Sequence, residues 1–65
     1  MFKKYLAQLN DLAQNYTHEN FVQIQKVQAD ILTSYTKGSL DDFEKRHLYG
    51  ISEIIMRGIR EELLK

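Results

Sequence analysis

Glu44 and His47, in the stretch "EKRH", are the residues whose types and spacing come nearest to chemistry. A Glu-x-x-His unit on a helix turns both side chains to one face, and two such units with two more glutamates build di-iron centres in four-helix bundles. One chain supplies one unit. A homodimer would supply two, and Glu53 or Glu19 would then have to complete the shell. Patterns of four residues are common by chance, so the ordinary explanation comes first: His47 sits half-buried at the edge of a core, and Glu44 pairs with a surface cation. No metal and no cofactor is expected.

The rest of the catalytic stock is small. There are two histidines and nine carboxylates, with no glycine-rich phosphate loop, no Gly-x-Ser-x-Gly elbow and no His-Glu-x-x-His. Ser34, Ser39 and Ser52 have no histidine at a telling distance along the chain, and His18 falls in a connection between helices. No catalytic residue is assigned, and the chain reads as a non-enzymatic protein.

Four tyrosines, Tyr5, Tyr16, Tyr35 and Tyr49, raise the question of base stacking, which requires basic residues on the same face. Three of them lie on apolar stripes, where a core tyrosine with its hydroxyl at the rim is the plain reading. Tyr49 is the exception, near Arg46 and Arg60. Nine basic residues balance nine acidic ones, whereas a phosphate-binding domain usually carries a basic excess. A small nucleic-acid-associated modulator using Lys45, Arg46, Arg57 and Arg60 is therefore the second choice.

The elements that would position these residues follow from spacing. Proline is absent, glycine is confined to Gly38, Gly50 and Gly58, and helix-favouring residues abound. Phe2, Tyr5, Leu6, Leu9, Leu12, Ala13 and Tyr16 recur at i, i+3, i+4 and i+7 and form one stripe. Phe21, Ile24, Val27, Ile31 and Tyr35 form a second, and Leu40, Phe43, Ile51, Ile54 and Ile55 a third. Gly38 suits the left-handed position past a helix end, and Ser39 is the expected cap of the next helix, with Asp41 and Asp42 in its first turn. The boundary around Asn15–Asn20 is softer, with Thr17 as a candidate cap. The expected fold is all-α: one domain, 1–65, of three helices at roughly 2–15, 18–36 and 40–64. The alternative is a long two-helix hairpin turning at Gly38.

A chain of 65 residues is near the lower limit for folding on a single core, and such chains usually need a staple. Cysteine is absent, which removes disulfides and thiolate metal sites. No run approaches the roughly 18 apolar residues of a membrane span, so no membrane partner is expected and a cytoplasmic setting is. Association is the staple that remains.

The third helix points the same way. At about 100° per residue, Tyr49, Ser52, Met56, Ile59 and Leu63 make a second stripe at heptad spacing beside the first. The arc is twice the width that a helix in a small bundle needs. A wide arc can pack on two neighbouring helices at once, but in so short a chain the surplus favours a partner. The expected interface is therefore Tyr49, Ser52, Met56, Ile59 and Leu63, engaging a second copy of the chain or another protein. The function implied is that of a regulator, inhibitor or adaptor that works by covering a surface.

Overall fold

The computed structural model describes residues 1–65. It holds three helices packed against one another and no strand: α1 (Phe2–Leu12), α2 (His18–Thr36) and α3 (Asp42–Leu63). The molecule is a rod of 40 × 15 × 14 Å, its length set by α3, which at about 1.5 Å per residue is about 33 Å long.

The first connection excludes the two-helix alternative. Thr17 is extended (φ −124°, ψ 158°) and caps α2, its side chain accepting from the Asn20 backbone N–H at 3.1 Å. The Asn20 side chain then reaches back, its Nδ2 donating to the carbonyls of Leu12 at 3.1 Å and Asn15 at 2.9 Å. The Leu12 carbonyl would otherwise be left over at the end of α1, and that of Asn15 in the turn that follows. With a donor for these carbonyls supplied by the Asn20 side chain, α1 stops at Leu12, three residues before the end expected from its stripe.

The second connection turns at Gly38, which has φ 85°. Gly38 N donates to Tyr35 O at 3.0 Å and Ser39 N to Ser34 O at 2.9 Å. This is the paired bonding of a Schellman motif, and it needs a left-handed residue where Gly38 stands. Ser39 is thus part of the ending of α2 and does not cap α3, contrary to expectation. Asp41 does: its Oδ1 accepts from Glu44 N at 2.7 Å, while Glu44 Oε1 accepts from Asp41 N at 3.1 Å. An acidic cap with a glutamate three residues on closes a reciprocal box, which satisfies two donors where a serine two residues earlier would satisfy one. The helix accordingly starts at Asp42.

The core runs along the rod as Tyr5 and Leu9 of α1, Ile24, Val27 and Ile31 of α2, Leu40 of the turn, and Leu48, Ile55, Met56 and Ile59 of α3. Two buried polar residues sit among them. Ser34 Oγ is 2.7 Å from Tyr5 Oη. Ser52 Oγ donates to Tyr49 O at 2.7 Å and accepts from Gln28 Nε2 at 2.8 Å. No buried side-chain nitrogen or oxygen lacks a partner, so neither serine carries the cost of an unmade bond.

Candidate functional site

The residues expected to form an interface are distributed between core and rim. Ser52, Met56 and Ile59 are buried within the single chain. Tyr49 is half-buried and packs on the same core. Of the five, Leu63 alone is half exposed, at the end of the rod beside Phe21, Arg60 and His18. The second stripe of α3 is therefore directed at α1 and α2, and Ser52, Met56 and Ile59, expected at an interface with a partner, are packed within the chain. The physical reason lies in the position of Leu48, Ile55 and Ile59. These three align along the helix, and the line they define falls between the two stripes, closer to the second. Ser52, small and internally bonded, lets α2 approach there.

Of the stripe read as Leu40, Phe43, Ile51, Ile54 and Ile55, Leu40 and Ile55 are buried, while Phe43 and Ile54 are left outside. Phe43 is 76% exposed and Ile54 71%. They lie on one outward line of α3, with His47 and Gly50 between them and half-buried Ile51 at its edge. A Cβ at Gly50 would meet nothing within 4 Å. Gly58, in contrast, is covered, since a Cβ there would lie 3.2 Å from the Tyr16 ring. The His47 imidazole is stacked against Phe2 of α1 (centroids 5.7 Å apart, planes at 30°) and Phe43 (6.3 Å, 7°). These three rings continue the apolar line onto α1, and they account for His47 as a packing residue of the surface. The signal for this face was present in the double-width arc; what spacing could not supply was which half of the arc faces inward.

A row of alternating charge flanks that line: Asp42, Arg46, Glu53 and Arg57, all exposed. Asp42 pairs with Arg46 at 3.0 Å and Lys45 at 3.5 Å. Glu53 accepts from Gln28 Nε2 at 3.1 Å, and Arg57 has no ion pair within the chain. At the far end Lys65 pairs with Glu62 at 3.2 Å. The other two cations of the basic patch lie over rings, Lys45 at 4.3 Å from the Tyr35 centroid and Arg60 at 5.9 Å from that of Phe21.

Nothing in this arrangement assembles a nucleophile with a base. Ser34 and Ser52 are held by Tyr5 and Gln28, and Glu44 is engaged in the cap of α3. No three His, Asp or Glu side chains come together as metal ligands. The largest cavity, about 420 Å³ between α1 and α2, is a groove lined by Gln8, Asp11, Gln23, Lys26 and Asp30 with Leu12 and Val27. No helix is long and apolar enough to cross a membrane. Comparison with protein families, with curated proteins and with solved structures finds no match.

Proposed function

We propose that the protein is a small non-enzymatic interaction module, a regulator, inhibitor or adaptor that acts by laying the outer face of α3 on another protein surface, a second copy of itself included. One observation carries the reading. Phe43 and Ile54 stand out from the same line of the helix at 76% and 71% exposure, in a chain whose other large apolar residues on α1 to α3 are mostly used in the core. Large apolar patches rimmed by charge mark docking sites more often than they mark idle surface, and aromatic residues are enriched at the centre of such sites. A cytoplasmic setting is part of the same proposal.

The test compares wild type with Phe43→Lys/Ile54→Lys, whose substitutions fall on exposed positions and leave the helical circular dichroism unchanged. Both proteins are measured by light scattering from micromolar to near-millimolar concentration, and both are used as bait in cells that make the protein. The expected result is association of the wild type, with itself or with a retained protein, that the variant loses. A monomeric mass at every concentration together with identical captured proteins for both baits overturns the reading.

A further inference from the structure

The outer face of α3 also carries information about what covers it. Asp42 and Arg57 lie equally far on either side of the Tyr49–Gly50 peptide, and so do Arg46 and Glu53. All four occupy one flank of the exposed line at helical spacing and are exposed. Rotation by half a turn about an axis level with that peptide, perpendicular to the helix and lying just outside its exposed line, therefore brings Asp42 of one copy beside Arg57 of the other, and Arg46 beside Glu53. Each pair occurs twice. A sequence of signs that is self-complementary under reversal fits an antiparallel copy of the same helix. In a parallel, in-register pair, the same flanks would lie on opposite sides of the seam and these charges would not meet.

Three further features agree with that axis. Gly50 lies at the crossing point, with open space where a side chain would be, so the two backbones can approach closely there. Phe43 of each copy falls about 3 Å along the helix from Ile54 of the other, near enough for the two most exposed side chains of the line to cover each other. Arg57, without an ion pair inside its own chain, gains one from the partner's first turn.

We infer that the protein forms a two-fold symmetric homodimer in which the α3 helices cross antiparallel at Gly50, joined by Phe43–Ile54 packing and flanked by Asp42–Arg57 and Arg46–Glu53 pairs between copies. The inference rests on the interaction-module reading and specifies its partner. Isologous association of this kind is the commonest form of oligomer. The contact line from Phe43 to Ile54 is about 17 Å long, so the interface is small and the expected dissociation constant lies in the micromolar range.

Two experiments test it on the full chain. In the first, dissociation constants are measured by sedimentation for wild type, Arg46→Glu, and Arg46→Glu/Glu53→Arg. The single change places like charges together twice across the axis and is expected to weaken the dimer about tenfold; the double change is expected to restore most of that loss. In the second, Arg46→Cys and Glu53→Cys proteins are oxidised separately and as a mixture, which is clean because the chain has no cysteine of its own. The mixture is expected to give the cross-linked heterodimer, and each protein alone little product. Self-linking of each protein, or a dimer indifferent to Arg46→Glu, overturns the antiparallel geometry and leaves the module reading intact. A wild type that stays monomeric to near-millimolar concentration overturns the self-partner. If the captured proteins then still differ between wild type and Phe43→Lys/Ile54→Lys, the face belongs to a different protein; if they do not, the module reading falls as well.

Discussion

Tyr5 shows how a single hydroxyl ties two helices. Its oxygen lies 2.7 Å from Ser34 Oγ and 3.3 Å from the Asp30 carbonyl, so a polar contact holds α1 to α2 beside the apolar core. Tyr5→Phe is expected to cost about 1 kcal/mol in urea unfolding, and the double variant with Ser34→Ala less than the two single losses combined, because the second change removes the group left unpaired. The three glycines separate cleanly by environment. Gly50→Ala, helical and open, is expected to stabilise the monomer by about 1 kcal/mol. Gly38→Ala is expected to destabilise by about 1–2 kcal/mol, since a side chain at φ 85° is strained. Gly58→Ala falls between, with the helix gain offset by a 3.2 Å approach to Tyr16. Thermal melts of the three variants at low concentration read the order directly.

At the scale of the element, number, type and order of the helices were legible in the sequence because local rules agreed with each other. Apolar spacing placed the stripes, Thr17 and Gly38 punctuated them, and the first cap and the left-handed turn both form as expected. The cap of α3 was misplaced at Ser39 because serine and aspartate are equally good caps in isolation. What separates them is Glu44, three residues after Asp41, and that reciprocal bond is visible in the sequence once the box is sought. Asp41→Ala is therefore expected to lower stability by about 1 kcal/mol in chemical denaturation, and Ser39→Ala to change it little. The facing of α3 was not legible in the same way. Leu48, Ile51, Ile54, Ile55, Met56 and Ile59 surround much of the helix, and spacing gives angles between residues without saying where the neighbouring helices lie. Ser52 joined the expected interface by its spacing alone; its hydroxyl is held inside by Gln28, a residue of another helix.

For the whole molecule, the corrected facing of α3 separates folding from association. Met56 belongs to the core, so Met56→Lys is expected to unfold the chain, placing a charge where no partner waits. Ile54→Lys, on the exposed line, is expected to leave the monomer folded and abolish association. Circular dichroism with sedimentation distinguishes the two. If the chain dimerises, linkage requires its melting temperature to rise with protein concentration, and Ile54→Lys should remove that dependence while leaving the low-concentration melting temperature close to that of wild type.

The packing of α1 differs from that of the α2–α3 pair, and that difference has a consequence in time. The Schellman turn at Gly38 and the box at Asp41 and Glu44 are built from residues close along the chain, and α2 with α3 shares the most extensive of the three helix interfaces. α1 is shorter, at 11 residues, and is fastened by Tyr5 to residues some two dozen positions away. Closing near contacts before distant ones loses less chain freedom. The α2–α3 hairpin should thus assemble first and α1 dock last, and in the native protein the amides of α1 should exchange with solvent ahead of those around Ile31 and Leu48.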